Sequence, residues 1–470
     1  MVFSSLVFLC VFLPVVFVLY TIIPSLKVKN ALLITASLLF YAYGEPIYVL
    51  LMIFSSFINY IFALLVDKKK SKLVLAAAVV INLGILAVFK YTGFFVETVN
   101  SVFNASLPVP QIVLPIGISF FTFQALSYVI DVYRRNANVQ KSFFSVLLYV
   151  SFFPQLIAGP IVKYKDIDDQ IRYRVQTVDK CAEGVKRFIF GLAKKVLISN
   201  TMGQVADAVF NADSSYLSIA TAWLGAITYL FQIYFDFSGY SDMAIGLGKM
   251  FGFEFRENFN YPYGATSIQD FWRKWHISLS TWFKEYLYIP LGGSRKGKGR
   301  TVINKFIVFF CTGLWHGASW TFVIWGLYHG FFLFLEEFIP IIKRLPKLIR
   351  HCYTLLVVTV GFVIFRAETL SQGLVFIKNM FAGYSVSDAS ASLALSQITP
   401  WFIVMLIAAV IACAPFKALT DKVKSNASFK GSKTEKAMET AAYICSFVLL
   451  VWCVARLAPA SYNAFIYFRF

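Results

Sequence analysis

Long apolar segments alternate with short polar segments along the whole chain. Most of the apolar segments approach the length of about 20 residues that an α-helix needs to cross a bilayer. They predict transmembrane helices over residues 2–23, 31–43, 47–66, 73–96, 111–133, 185–212, 216–237, 302–320, 321–339, 351–366, 398–416 and 438–458. The predicted fold class is an all-α polytopic membrane protein with about 11–13 spans, supplemented by re-entrant and interfacial helices.

Three regions depart from simple spanning helices. Residues 142–160 are apolar, but Pro154 and Pro160 interrupt them and basic residues follow, so we expect a re-entrant hairpin. The segment 185–212 carries four basic residues in its first third, which favours an interfacial amphipathic start. Residues 236–300 combine aromatic and charged residues, and we expect them to pack against the bilayer or dip into it.

Composition agrees with a membrane protein and excludes a water-soluble one. Hydrophobic residues make up 59% of the chain and charged residues 14%, against about half and about a quarter in soluble domains. The net charge of +19 does not indicate nucleic acid binding, because the basic residues lie in short loops between spans. Those loops predict the cytoplasmic side, and they cover residues 67–72, 134–141, 294–300, 343–350 and 417–436.

Both termini are then expected to lie outside the cytoplasm. The first apolar segment has neither the basic start nor the cleavage site of a signal peptide, so we interpret it as a retained span. The seven cysteines form no C-x-x-C motif, and several lie in apolar runs. We expect them to be packing residues rather than disulfide or metal ligands.

Four histidines are the main candidates for chemistry, because ionisable groups at membrane depth are costly. His351 adjoins a basic loop and is expected at the surface. His329 fits helix packing better than function, and for His276 the two interpretations are equally open. His316 is the strongest candidate, because small residues such as Gly317 surround it and leave space for a substrate.

A metal site is not expected at these histidines. His316 and His329 lack the i, i+4 spacing that places two ligands on one helix face, and no carboxylate follows them locally. The small residues near His316 also allow close helix approach, which is the alternative explanation for them. They are Gly313, Gly317, Ala318 and Ser319.

Six long strings resemble the membrane-bound O-acyltransferase family, and in particular its bacterial branch that includes the membrane subunit of alginate O-acetyltransferase. They are LPIGISFFTFQ (114–124), FFPQLIAGPI (152–161), YFDFSGYSDMAIGLG (234–248), ENFNYPY (257–263), DFWRKWHISLSTWFKEYLYIPLGGSR (270–295) and TGLWHGASW (312–320). The resemblance implies one integral membrane domain over residues 1–470, built as a helical ring around a central funnel. It places the family's invariant histidine at His316 and a second, cytoplasm-side histidine at His276.

The resemblance also implies an activity. We expect an O-acetyltransferase of the bacterial plasma (inner) membrane that uses cytoplasmic acetyl-CoA, holds no bound cofactor, and serves an extracytoplasmic polysaccharide or peptidoglycan. A serine-hydrolase-like acetyltransferase outside the membrane is the expected partner. D-alanyl transfer from a carrier protein to teichoic acid is the nearest alternative. A glycan or lipid transporter is the alternative from another class, but it needs charges along a continuous path, and the charges are expected to stop at the cytoplasmic side.

Roles follow for particular residues. His316 is expected to act as general base, and His276 to orient the thioester or donate to the developing oxyanion. Basic residues within 256–300 are candidates for the phosphates of the coenzyme. The predicted substrate or funnel residues are Trp315, Ser319, Asp236 and Asp242.

The chain ends in FIYFRF, within a tail over residues 459–470 that is predicted to lie outside. Twelve extended residues reach about 40 Å, which is enough to return to the funnel mouth. The resemblance implies that Tyr467 carries the acyl group as an aryl ester. Phe465, Phe468 and Phe470 are expected to dock the tail. The alternative is an interfacial aromatic anchor.

Overall fold

The structure is a computed structural model that describes residues 1–157, 159–339, 341–415, 432–459 and 462–463, except the side chain of Lys343. Tyr467 and the other aromatic residues predicted in the tail therefore lie outside the described residues. The described part is helical and contains no β-strand. Its α-helices are α1 (Leu13–Ile22), α2 (Leu26–Ala42), α3 (Tyr48–Lys69), α4 (Lys72–Phe103), α5 (Ile118–Tyr133), α6 (Phe143–Ser151), α7 (Phe153–Leu156), α8 (Tyr164–Arg172), α9 (Val178–Ala193), α10 (Asn200–Phe210), α11 (Ile219–Met250), α12 (Ile268–Lys274), α13 (Ile277–Phe283), α14 (Lys298–His316), α15 (Trp320–Phe338), α16 (Ile341–Arg344), α17 (Lys347–Arg366), α18 (Leu370–Ala382), α19 (Asp388–Gln397), α20 (Pro400–Ala412) and α21 (Lys433–Leu457).

A helix lies over every predicted span, and the all-helical, multi-pass class is confirmed. Four described helices are long and apolar enough to cross a membrane alone: α3, α4, α17 and α21. The pair α19 and α20, bent by 70°, could form a fifth span. The other predicted spans are shorter, broken or more polar, so the expected number of 11–13 crossings stays a prediction.

The apolar segment after α5 folds as two short helices. α6 has nine residues, and such a helix is about 14 Å long, less than half of a bilayer core of about 30 Å. The chain breaks at Phe152, which has extended ψ, and resumes in α7 with Pro154 in its first turn. These lengths fit the predicted re-entrant hairpin.

α9 packs along α11 through glycines rather than lying free at the membrane surface. A Cβ built on Gly184 would lie 2.6 Å from the carbonyl oxygen of Gly246, and a Cβ built on Gly191 would lie 2.6 Å from that of Gly239. Glycine is therefore required where the two backbones meet. The chain continues from α9 through a π-helical segment, Lys194–Ser199, into α10.

The segment between α11 and α14 forms a compact layer of short helices with buried aromatic rings. α11 extends well past the predicted end at residue 237, to Met250. α12 and α13 then follow, and a π-helical turn, Lys284–Tyr288, comes after them. The rings of Trp272, Trp275 and Trp282 are buried in this layer. Residues 236–300 thus pack against the rest of the protein, and this layer contributes His276 to the interior. Their relation to the bilayer stays a prediction.

Candidate active site

His316 is the last residue of α14, and its side chain is enclosed by aromatic rings from three helices. Only 5% of the residue is exposed. The imidazole centroid lies 5.0 Å from the ring of Trp315, 5.0 Å from that of Trp325 and 5.3 Å from that of Phe365. α14, α15 and α17 together position this imidazole.

The glycines beside His316 allow close helix packing and do not open a space. A Cβ on Gly313 would collide with the backbone oxygen of Phe322, and a Cβ on Gly317 would collide with the ring of the same residue. The expectation that these two positions leave room for a substrate is therefore wrong, because α15 fills that room. Ser319, a predicted funnel residue, caps α15 and accepts the backbone N–H of Thr321 (3.3 Å).

His276 joins α12 to α13 in a left-handed conformation, with φ 43°. Such a φ is uncommon outside glycine and often marks a functional site. The residue is fully buried. Its Nδ1 lies 3.2 Å from Asn258 Oδ1, and that oxygen also accepts the backbone N–H of Ser278 (3.1 Å) and its hydroxyl (2.9 Å).

This arrangement favours one tautomer of the neutral ring. Asn258 Oδ1 can only accept, so Nδ1 of His276 carries the proton and Nε2 offers a lone pair. Nε2 is buried, and no group in the described part of the chain bonds to it. A neutral His276 therefore accepts a hydrogen bond at Nε2, which fits the predicted orienting role better than the predicted oxyanion role.

Trp315 contacts both candidate histidines. Its indole centroid lies 5.0 Å from the ring of His316 and 5.8 Å from the ring of His276. Its Nε1 is buried and has no partner among the residues that the structure describes. The structure thus brings three predicted site residues together around one indole ring.

His329 also belongs to this interior, although the sequence favoured a packing role for it. Its ring lies 5.2 Å from Trp272 and 5.2 Å from Trp325. Neither ring nitrogen has a hydrogen-bond partner among the described residues, and the same holds for the indole N–H groups of both tryptophans. A Cβ on Gly361 would lie 2.9 Å from Nε2, so that glycine makes room for the histidine. The fourth histidine, His351, is partly exposed and bonds to the carbonyl oxygen of Ala265 (3.0 Å).

The two predicted carboxylates are paired with cations. Asp236 forms a buried ion pair of 2.7 Å with Lys195. Asp242 accepts from Arg187 (2.8 Å) and from Lys194 (2.6 Å). Both carboxylates lie on α11 and tie it to α9 and the π-helical segment, which explains their presence structurally. Their funnel role stays a prediction.

Two charged residues that the sequence analysis did not single out are buried inside the protein. Lys90 in α4 is 8% exposed, and its ammonium donates to the carbonyl oxygen of Trp315 (2.5 Å) and to Ser119 Oγ (3.3 Å). No carboxylate pairs with it in the described ranges. Arg366, also buried, pairs with the half-buried Asp207 (2.6 Å). The expectation that charges stop at the cytoplasmic side stays a prediction, and the lone lysine in an apolar run was the signal for Lys90.

A cavity of about 200 Å³ lies between the layer of short helices and α14. Apolar side chains such as Trp272 and Phe309 line it together with three cations, Arg273, Lys284 and Lys305. A neighbouring cavity of about 420 Å³ shares Lys305 with it. Lys305 is paired with Glu337, but no ion pair engages Arg273 or Lys284 among the described residues. Cations without counter-ions favour the binding of an anionic ligand in this cavity.

The cavity runs along α14 toward His316. Lys305 and Thr312 both line it, and seven helical residues rise about 10 Å. Thr312 is one turn, about 6 Å, from His316. Trp272 and Trp325 lie in between, with ring centroids 5.7 Å apart.

A third cavity, of about 80 Å³, reaches Ser278 beside His276. Its cations are already neutralised, since Lys163 pairs with Glu285 (2.7 Å) and Arg256 pairs with Asp166 (2.6 Å). This cavity is smaller and offers less charge to an anion. The first cavity is therefore the better candidate for a phosphorylated ligand.

Fold and site together define a class: a multi-pass helical membrane protein with buried imidazoles next to a cation-lined cavity. The chain belongs to the membrane-bound O-acyltransferase family, whose model matches residues 118–367. It is therefore an O-acyltransferase, and the resemblance seen in the sequence is confirmed.

Three relatives give the resemblance its detail. The chain is 40% identical to a probable alginate O-acetylase of Azotobacter vinelandii over 100% of both chains. It is 39% identical to the peptidoglycan O-acetyltransferase of Helicobacter pylori, covering 82% of this chain and 80% of that protein. The identity to the teichoic acid D-alanyltransferase of Bacillus subtilis is 27%, over 55% of this chain and 69% of that protein.

Proposed function

We propose that this protein passes acetyl groups from cytoplasmic acetyl-CoA to hydroxyl groups of a polysaccharide or peptidoglycan outside the bacterial plasma membrane. One structural observation supports the proposal: α14 lines a cavity with Lys305 and Thr312, next to two further cations, and ends in the buried imidazole of His316. The relatives that align over most of their length are named as O-acetylases, which supports acetyl as the group transferred.

The donor would bind from the cytoplasmic side. Arg273, Lys284 and Lys305 hold its phosphates by charge and hydrogen bonds, and the apolar side chains of the cavity take the uncharged arm. The charged portion stays outside the hydrocarbon, because moving a charge through it is costly. The thioester then has to pass Trp272 to reach His316.

The first transfer uses His316 as base and Tyr467 as nucleophile. The imidazole takes the phenolic proton, and the oxygen attacks the thioester carbonyl carbon. The tetrahedral intermediate then breaks its C–S bond, and the departing thiolate recovers the proton from the imidazolium. The products are free coenzyme A and an acetyl ester on Tyr467.

Tyrosine suits a carrier because of its acidity. A phenol has a pKa of about 10 and a thiol about 8.5, so the acetyl group moves between leaving groups of similar quality. A sugar hydroxyl is a much weaker acid, and the second transfer runs downhill. In that step the sugar hydroxyl oxygen attacks the acetyl carbonyl carbon, the bond between that carbon and the phenolic oxygen breaks, and the hydroxyl proton passes to the phenolate, which restores the phenol. A serine-hydrolase-like partner outside the membrane would carry out this step.

The nearest alternative is D-alanyl transfer from a carrier protein. Such a carrier also presents a phosphopantetheine arm, so the cavity fits both donors. The D-alanyltransferase relative aligns with about half of this chain, whereas the O-acetylases align with most or all of it. We therefore favour acetyl. A transporter is not favoured, because the chain is an O-acyltransferase.

Radiolabelled acetyl-CoA tests the proposal on the purified protein in detergent. We expect label on the tail of the wild type, none on Tyr467→Phe, and a strongly reduced rate for His316→Ala. Tyr384→Phe is the matched control, because Tyr384 is 78% exposed and remote from these residues in sequence. Full labelling of Tyr467→Phe, or a wild-type rate for His316→Ala, would overturn the mechanism.

A further inference from the structure

We propose that Tyr462 and Asn463 anchor the root of the tail to the part of the protein that encloses His316, so that Tyr467 works on a short tether within its own chain. This inference rests on the proposed carrier role of Tyr467. The two anchor residues are described by the structure and directly precede the tail residues outside it. They bind two different parts of the protein.

Tyr462 is held by an ion pair of the half-buried Asp207 with the buried Arg366. Its hydroxyl donates to Asp207 Oδ2 (2.7 Å), while Asp207 Oδ1 accepts from Arg366 (2.6 Å). The guanidinium of Arg366 lies 5.2 Å from the ring centroid of Phe210. A hydrogen bond to a carboxylate is stronger than one between neutral groups, so this contact is a firm attachment point.

Asn463 is held by a reciprocal pair of hydrogen bonds with Ser4. Its Nδ2 donates to the backbone oxygen of Ser4 (3.0 Å), and the hydroxyl of Ser4 donates to its Oδ1 (3.1 Å). The neighbouring Phe3 stacks on Tyr240 of α11 with a centroid distance of 4.6 Å. Two attachment points on consecutive residues fix both the position and the direction of the chain.

The anchor is connected to the candidate base through α17. Arg366, which holds Asp207, directly follows Phe365, whose ring lies 5.3 Å from the imidazole of His316. The end of this helix therefore serves both the enclosure of His316 and the attachment of the tail. A shift of the anchor relative to the base would require α17 to move.

The anchor shortens the working length of the tail. Tyr467 follows Asn463 by four residues, which span at most about 14 Å, whereas the ten residues from the end of the last helix to Tyr467 span about 35 Å. Because effective concentration falls roughly as the −3/2 power of tether length, the shorter tether raises it about fourfold. The acetylated tyrosine would also stay at the outer mouth, so the extracytoplasmic partner has to come there to collect it.

The inference can be separated from a purely structural role by comparing two reactions. In the first, the protein acetylates its own tail. In the second, a Tyr467→Phe protein acetylates a synthetic peptide of residues 464–470, AFIYFRF. The double variant Tyr462→Phe/Asn463→Ala should slow the first reaction about fourfold and leave the second unchanged. Tyr384→Phe should change neither rate.

Each other outcome counts against the anchor. An unchanged rate of self-acetylation in the double variant would refute it directly. A parallel fall in both reactions would show that these contacts only stabilise the fold. If the wild type accepts label from acetyl-CoA but never on Tyr467, the carrier role fails and the anchor fails with it, which distinguishes the two proposals.

Discussion

Replacing Lys90 by methionine should lower the activity of this protein much more than its stability. The ammonium of Lys90 is buried and donates to the carbonyl oxygen of Trp315 (2.5 Å), the residue before His316. That carbonyl lies in the last turn of α14, where helix carbonyls lack partners within the helix. Lys90 therefore fixes the backbone that carries the candidate base.

The effect on stability comes from two opposing terms. Loss of a hydrogen bond to a charged donor costs about 1.5–3 kcal/mol. Burial of an ammonium without a carboxylate costs several kcal/mol, and methionine, of similar length, avoids that cost. The free energy of unfolding should therefore change by no more than about 2 kcal/mol. The rate should fall further, because a shift of about 1 Å in a catalytic group can cost about 100-fold.

The measurement is the initial rate of tail labelling from radiolabelled acetyl-CoA, together with a thermal unfolding curve in detergent. We expect the rate of Lys90→Met to fall about 10- to 100-fold while the unfolding midpoint moves by a few degrees. Tyr91→Phe is the matched control. It removes a neutral hydrogen bond to the carbonyl oxygen of Leu314 (2.7 Å), worth about 1 kcal/mol, and should leave the rate within a few-fold. Labelling of Lys90→Met at the wild-type rate, or an equal loss in both variants, would refute the reasoning.

Three further sets of variants test other parts of the site. Asn258→Ala removes the acceptor that orients His276 and should lower the single-turnover rate about tenfold; a wild-type rate would exclude this positioning role. Asp236→Leu leaves Lys195 buried without its carboxylate and should cost about 3–5 kcal/mol in thermal unfolding, while Lys195→Met/Asp236→Leu should recover most of it; equal losses would contradict a paired role. Arg273→Ala/Lys284→Ala should raise the KM for acetyl-CoA about tenfold at low salt and less at high salt, with kcat retained; an unchanged KM would place the phosphates elsewhere.

The helices could be predicted from the sequence because hydrophobicity is a local property of the chain. Their ends were harder to place, and α11 shows why. The predicted span stopped near Asp236, since a carboxylate in a run looks like a loop, but the helix continues to Met250. Asp236 and Asp242 are tolerated inside it because cations of the neighbouring segment pair with them. Such pairing depends on tertiary structure, which the local pattern does not contain.

The candidate site was predicted in part, and the missing parts are long-range. His316 and His276 could be predicted from the sequence motifs that contain them. The contact of His276 with Asn258 could not, nor could the hydrogen bond between Lys90 and Trp315, which are 225 positions apart in the chain. The glycines near His316 suggested open space beside the imidazole. The sequence could not show that a ring of the next helix, that of Phe322, occupies this space.

The tautomer of His276 changes which group can stabilise the oxyanion. With Nδ1 donating to Asn258, a neutral His276 has no proton at Nε2 to offer. The indole N–H of Trp315 lies in the ring that both histidines touch, and it is buried without a partner among the described residues. It is therefore the better candidate to donate a hydrogen bond to the thioester oxygen as negative charge develops there.

Trp315→Phe tests that assignment because it keeps an aromatic ring and removes the N–H. Loss of one oxyanion donor typically lowers kcat about 10²- to 10³-fold, and we expect a fall in this range with little change in KM, measured by initial rates of tail labelling. Trp223→Phe is the control, since that indole donates to the backbone of Met380 (2.9 Å) at a distant helix end. If Trp315→Phe retains kcat within a few-fold, the oxyanion must be stabilised by another group. An imidazolium form of His276 would then be the next to test, because only a second proton on its ring lets Nε2 donate.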